Sequence, residues 1–173
     1  SSLCQSKTSI GLLVDHAGPS YLLKINKKNG KNEWKQDRQA RVSWSTPTFV
    51  EKDGEEVLFI SSNGVVECYD FKTGERIWYK EGVEGNTVAT PTYGDDLLII
   101  GSSKPDQTVA FSYKQNFSKD PLVQWVAEDA TCSFGSPLLT NKFLYLVNRA
   151  GVATCHDLTN GKKKWDTKEF KKN

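Results

Sequence analysis

The chain is 173 residues long, and its sequence predicts an all-β fold. The expected architecture is a β-propeller built of four-stranded antiparallel blades with a recurring Trp-docking motif. About four blades are present, as a partial ring. Two repeated markers and the character of the runs between them carry this reading. Trp34, Trp78, Trp125 and Trp165 are spaced 44, 47 and 40 residues apart. Thr46-Pro47, Thr90-Pro91 and Ser136-Pro137 run in phase with them, 44 and 46 residues apart. A period of this size suits a four-stranded blade or a HEAT-type helical repeat. The runs between markers select the blade, being short, β-rich and flanked by turn formers.

Each unit then reads in order. A Ser/Thr-Pro strand opens it, because proline is tolerated at the first position of a strand. A buried apolar strand follows, as in 56–61, 97–101 and 143–147. Asn63-Gly64 and Ala150-Gly151 then turn the chain, Asn-Gly being a strong hairpin signal because both central residues take positive φ. A third strand carries Cys68 or Cys155, and Thr73-Gly74 or Asn160-Gly161 makes a second turn before the Trp strand. The approximate blades are 1–40, 45–85, 89–128 and 135–170, forming one propeller segment over 1–173.

Composition narrows the function classes. Lys and Arg number 23 against 21 Asp and Glu, a net charge of +2. That balance lacks the basic footprint of a dedicated nucleic-acid binder. No apolar run is long enough for a transmembrane helix. The run 10–14 has neither a basic n-region nor a cleavage site, so no signal peptide is read, and the missing initiator Met suggests processing or a longer parent. Cys4, Cys68, Cys132 and Cys155 form no CxxC pair. Cys68 and Cys155 occupy equivalent positions two blades apart, too distant for a disulfide, and read as small hydrophobes.

The repeat positions have physical reasons. A Trp at a fixed place covers the neighbouring blade while its N–H finds a backbone acceptor. Gly30, Gly74 and Gly161 allow positive φ and close approach. Asp70 and Asp157, like Asn26, accept hydrogen bonds from the turn. The small residue two positions before the Asp is expected to make room for the neighbour's indole. The third unit departs from the pattern. No Thr-Gly follows Ala110-Phe-Ser112, and the loop Tyr113–Pro121 adds five residues before Trp125, so the seating of Trp125 is expected to suffer.

The pattern small-x-Asp-x-x-Thr-Gly-x-x-x-Trp, with Ser43-Trp-Ser-Thr-Pro and Gly85-Asn-Thr-Val-Ala-Thr-Pro, resembles the tryptophan-docking repeat of the pyrroloquinoline quinone (PQQ)-type β-propellers. It is similar to the bacterial PQQ-like repeat proteins grouped with the outer-membrane assembly lipoprotein BamB. The resemblance implies a ring of about seven or eight blades, hence two uncovered apolar faces here that meet the remaining blades of a parent chain or self-associate. It also implies an exported, periplasmic module without catalysis that binds a protein partner or small ligand. The alternative is a segment of a PQQ-dependent quinoprotein dehydrogenase. That enzyme class implies PQQ with calcium, adjacent cysteines, a stacking Trp and a carboxylate cluster. No adjacent cysteines and no calcium-loop spacing occur in this sequence, so no cofactor and no metal are expected. A cytosolic structural repeat protein is a third option.

Candidate site residues follow from repeat phase. The segments before each Ser/Thr-Pro lead from an outer strand to the next inner strand and crowd one mouth of the central channel. Arg41, Trp44 and Asn86 would supply charge, stacking and an amide there. Asp15 and His16 form a polar pair that serves either a ligand or its own loop. His156 reads as a strand residue. Lys24, Lys27, Lys28, Lys31, Lys35, Arg38 and Arg41, with 162–164 and Lys168, Lys171 and Lys172, read as a solvated rim that discourages edge pairing. Asn116-Phe-Ser118 matches a glycosylation sequon in the long loop.

Overall fold

The structure is a computed structural model describing residues 2–114, 116–118 and 120–167. Lys168, Lys171 and Lys172 of the expected basic rim lie outside the described residues, as does the end of the fourth expected unit. Among the described residues, sixteen strands form four separate four-stranded sheets, each an antiparallel meander of consecutive strands. Sheet one holds β1 (Cys4–Gln5), β2 (Ser9–Val14), β3 (Ser20–Asn26) and β4 (Asn32–Arg38). Sheet two holds β5 (Thr48–Lys52), β6 (Glu55–Ser62), β7 (Gly64–Asp70) and β8 (Arg76–Val83). Sheet three holds β9 (Thr92–Gly94), β10 (Leu97–Ile100), β11 (Thr108–Ser112) and β12 (Leu122–Ala127). Sheet four holds β13 (Leu138–Leu139), β14 (Phe143–Val147), β15 (Ala153–Asp157) and β16 (Lys163–Asp166). The first strands lie side by side, β1 next to β5, β5 next to β9 and β9 next to β13. These are the innermost strands of four propeller blades.

Local chemistry explains the meanders. Asn63 and Gly64 take φ of 37° and 92° and close the β6–β7 hairpin, as Asn-Gly requires. The second turn of three sheets is built identically. The side-chain oxygen of Asn26, Asp70 or Asp157 accepts the N–H of Lys28, Lys72 or Thr159 at 2.7–2.9 Å. The N–H of Gly30, Gly74 or Gly161 returns to the backbone oxygen of that same Asn or Asp. Each of these glycines has a φ between 68° and 80°, a region that side chains with a Cβ rarely enter.

The core sits in three seams between sheets. Leu13, Leu22, Leu58, Ile60, Tyr69 and Phe71 fill the first. Phe59, Cys68, Trp78, Leu98, Phe111, Tyr113 and Phe117 fill the second. Ile99, Ala110, Trp125, Leu144, Leu146 and Leu158 fill the third. In the first and third seams an indole lies flat on a turn glycine. A Cβ on Gly74 would come within 2.8 Å of the Trp34 ring, and one on Gly161 within 2.6 Å of Trp125. Trp34 Nε1 donates to Phe71 O at 3.0 Å and Trp125 Nε1 to Leu158 O at 2.9 Å.

Two expectations are corrected here. The small residue does not receive the neighbour's indole. Cys68 pairs across the ladder with Trp78 of its own sheet and faces the second seam, while Trp34 reaches sheet two through Gly74 in the first. The long loop also leaves Trp125 properly seated, because an indole rests on the sheet that follows it. The affected residue is Trp78, whose following sheet lacks the glycine turn. Its ring meets Tyr113 at 6.0 Å and 27°, and its buried Nε1 has no partner among the described residues. Tyr113 and Phe117 from the loop occupy the gap, both nearly fully buried.

A second repeated device ties the inner edges together. Ser2 N–H donates to Thr46 Oγ1, Thr46 N–H to Thr90 Oγ1, and Thr90 N–H to Ser136 Oγ, at 3.0–3.3 Å. Thr48 and Thr92 hydroxyls donate to Pro91 O and Pro137 O of the next unit. The hydroxyl half of the Ser/Thr-Pro marker is therefore a rung between neighbouring inner strands, while the proline adds no donor of its own.

Candidate functional site

The β2–β3 hairpin, the end of β4, the β6–β7 turn and the connections 39–47, 84–91 and 128–137 all lie at one end of the sheets, by strand direction. Asp15, His16, Arg41, Trp44 and Asn86 share that end, yet they sit in very different surroundings.

Asp15 is the hub of a buried cluster. Arg38 Nε donates to its Oδ1 at 3.2 Å, and Ser43 Oγ donates to Oδ2 at 2.9 Å, with Ser62 Oγ also donating there. Arg38 continues across the seam to Glu67 and to the Tyr69 hydroxyl. Glu67 accepts in turn from Tyr69 Oη and Arg76 Nη1, each at 3.1 Å. The side chains of Asp15, Arg38 and Glu67 are at most 3% exposed. Burial works against the Arg38 charge, but Glu67, Tyr69 and Asp15 outweigh it and raise its pKa. Burial first, and then Glu67, pushes the Tyr69 phenol up to about 12. Removing one member of such a cluster leaves a buried charge uncompensated. Arg38 is thus no part of a solvated rim, which corrects the expectation for it. Lys24 also turns inward, onto Glu33 at 3.1 Å and the Phe71 ring.

Asn86 is fully buried. Its Oδ1 accepts from Gly64 N–H at 2.7 Å and its Nδ2 donates to Val65 O at 2.8 Å, so its amide clamps the β6–β7 turn. His16 is exposed, and its Nδ1 accepts the Gly18 N–H at 2.9 Å inside its own hairpin loop. His156 is buried in β15 between Gly161 O and Thr154 Oγ1, and burial lowers its pKa.

Arg41 and Trp44 differ from these. Arg41 Nη2 reaches Gln39 Oε1 at 3.2 Å and its Nη1 reaches Ser62 O at 3.5 Å, while its buried Nε has no partner among the described residues. It lines a cavity of about 380 Å³ with Gln36, Gln39, Arg76 and Tyr79, floored by Arg38, Glu67 and Tyr69. Trp44 is held by its backbone N–H to Thr87 O at 2.8 Å, and its side chain is 58% exposed. Phe134, the residue in the same repeat phase in the connection before β13, is 67% exposed under Arg149. The buried cluster escaped the sequence reading, whereas Phe134 ends the third of the connections that repeat phase places at this end. Glu67 was the available signal, a carboxylate amid the apolar residues of β7.

The described residues do not fit PQQ with calcium. The four cysteines are free and lie on separate segments, and no group of three or more His, Cys, Asp or Glu converges among the described residues. Burial raises the thiols of Cys4, to about 11, and of Cys132, to about 12, with Cys68 also well above its usual range. They are poor nucleophiles at neutral pH.

Fold and repeat together define a segment of a β-propeller with PQQ-type repeats. The family model described as outer membrane protein assembly factor BamB matches residues 11–167, and the chain belongs to that family. BamB from Moraxella catarrhalis aligns with a TM-score of 0.71 at 15% identity, covering 96% of this chain and 51% of that one. The computationally designed Ika8 protein aligns at 0.68 and 11% identity, covering 95% and 48%. A europium-containing methanol dehydrogenase aligns at 0.66 and 11% identity, covering 96% and 41%. These likenesses show the fold, and the chain spans about half the length of the solved proteins it matches. No curated protein sequence matches it significantly.

Proposed function

We propose that this chain is a non-catalytic propeller module that binds a protein partner or small ligand at the end bearing Trp44 and Arg41. One observation carries the reading: an aromatic residue 58% exposed on a backbone-anchored connection, three residues from an arginine that lines the 380 Å³ cavity. An exposed Trp on a rigid base suits an apolar or aromatic group, and Arg41 suits a carboxylate or other acceptor. Asn86 and Asp15 serve this site as supports, since their side-chain polar atoms are engaged within the fold, and His16 turns its Nδ1 to the Gly18 N–H of its own loop. The same reading takes Trp34, Trp78, Trp125 and Trp165, with Gly30, Gly74, Gly161, Asp70 and Asp157, as the structural docking set. Membership of the BamB family supports an exported, periplasmic setting.

An array of peptides carrying aromatic residues and a free carboxylate tests the site. Trp44→Ala and Arg41→Ala should each weaken capture at least about tenfold, in the range of a moderate interface residue, with melting unchanged. Capture unaffected by both would overturn the reading. Addition of PQQ and calcium, followed by gel filtration, tests the dehydrogenase alternative. Retained quinone absorbance with dye reduction by alcohols would favour it.

A further inference from the structure

The grooves beside the outer strands at the first and second seams occupy one place in the repeat but differ in chemistry. The ladders set the correspondence. Cys68 pairs with Trp78 and Tyr69 with Arg76 in sheet two, as Ala110 pairs with Trp125 and Phe111 with Val123 in sheet three. The groove between sheets two and three, about 580 Å³, has Gly82, Val109, Phe111, Val123 and Val126 in its lining. At the first seam the same five positions are Arg38, Glu67, Tyr69, Arg76 and Tyr79, all lining the cavity of about 380 Å³. Sheets two and three dock with apolar side chains there, so docking does not require charge. A buried ion cluster also adds little over well-packed apolar groups, since desolvation offsets the attraction. Asp15, Arg38 and Glu67 are nonetheless at most 3% exposed. Local departures of this kind are expected where a protein trades stability for function.

The floor of the cavity is saturated, and its wall is not. Arg38 is spent on Asp15, Glu67 and Tyr69. Both Glu67 oxygens are occupied, one by Arg38 and the other by Tyr69 Oη and Arg76. Asp37 is held by Lys35, and Glu81 accepts from the Tyr79 hydroxyl. Asp15 and Glu67 therefore face three guanidiniums, and Arg41 makes no ion pair among the described residues. Its Nη atoms donate to neutral oxygens, Gln39 Oε1 at 3.2 Å and Ser62 O at 3.5 Å. Arg76 is half-exposed and lies over the Tyr79 ring at 5.0 Å. We infer that this groove binds a small carboxylate, held between Arg41 and Arg76, with its polar body against Tyr79, Gln36 and Gln39. The unbalanced guanidinium calls for one negative charge, and its planar fork matches a carboxylate. The volume admits a body of amino-acid or monosaccharide size. The inference rests on the reading of Arg41 as a ligand contact and adds a site whose lining does not include Trp44.

NMR titration of this chain, following the Arg41 and Arg76 Nε–H signals, tests it. Glucuronate is compared with glucose, and N-acetylglutamate α-amide with N-acetylglutamine α-amide. The two pairs distinguish a sugar acid from an amino-acid side chain as the source of the carboxylate. At least one acid should give saturable shifts at both arginines by about 10 mM, and its neutral counterpart none. Arg41→Gln and Arg76→Gln should each weaken that binding about tenfold or more, as for a lost charge-assisted hydrogen bond. Lys80→Gln, in the matching groove of the second seam, should leave it unchanged, which separates the site from general attraction to surface cations. The unsubstituted chain decides even where a variant fails to fold. No saturable shift with either acid, or equal shifts with the neutral counterparts, overturns the inference. If Trp44→Ala still abolishes peptide capture in that case, the reading above stands and only the groove falls. Acid binding lost in Arg76→Gln supports the groove even where Trp44→Ala leaves peptide capture intact.

Discussion

The first and second seams solve one problem with different chemistry. In the first, Trp34 lies on Gly74 and spends its N–H on Phe71 O. In the second, Trp78 has no glycine beneath it, stacks on Tyr113 and keeps a buried N–H that has no partner among the described residues. The first seam depends on backbone shape, since only a residue without a side chain lets a flat ring approach so closely. The second depends on volume, with Tyr113 and Phe117 drawn in from the long loop to fill the space. A repeat protein can therefore lose a turn motif and keep its seam if aromatic mass replaces it, but the polar atom of the indole then goes unserved.

That contrast can be broken most forcefully by truncation. Trp78→Ala should cost about 3–5 kcal/mol, as for other buried aromatics. Denaturant unfolding would measure it, and a cost below about 1 kcal/mol would show that the second seam does not rest on the indole. Gly74→Val should cost about 3 kcal/mol, combining a strained positive φ with displacement of the Trp34 ring. Unchanged melting of that variant would count against the shape-dependent seam. Replacing each indole by a ring without the N–H sharpens the difference. Trp125→Phe should cost about 1 kcal/mol more than Trp78→Phe, because Trp125 gives up its bond to Leu158 O while Trp78 Nε1 has no partner among the described residues. Equal costs in thermal melts would mean that Trp78 has an acceptor after all.

Smaller effects come from pH. Burial holds His156 below its ordinary value of 6.5, so the unfolded chain binds that proton more readily. Stability should be full above pH 6.5 and decline as pH falls from there towards the lower folded value. A His156→Gln variant should lack that slope in pH-dependent unfolding. The Asp157 carboxylate is held down to about 2, first by the Thr159 hydroxyl and then by Lys164. Its turn should keep its order until pH falls through about 2, below its ordinary 3.8. Side-chain carboxyl titration by NMR checks this, and an ordinary midpoint would remove the Thr159 and Lys164 contacts from the account.

The strands and turns were legible because each rests on local chemistry. Asn63-Gly64 and the Asp-to-Gly turns specify their own φ values, and the alternation in β2 specifies its two faces. The candidate site was legible only as a location. Repeat phase placed Arg41, Trp44 and Asn86 at one end, but it could not say that Asn86 spends its amide on Gly64 and Val65. Arg38 was misread for a related reason. A charge at the end of a lysine-rich strand looks solvated until Glu67, 29 residues away, is known to face it. The role of the Ser/Thr markers was hidden in the same way, because each rung joins residues one full unit apart.

No strand of any sheet is borrowed from another, and each four-stranded sheet is made from consecutive chain. Duplicating or deleting one unit in the gene thus leaves every ladder bond elsewhere untouched and asks only that one new seam resemble the old ones. Lineages carrying this architecture can change circumference by whole steps, with selection acting on seam chemistry alone and the hairpins inherited ready-made.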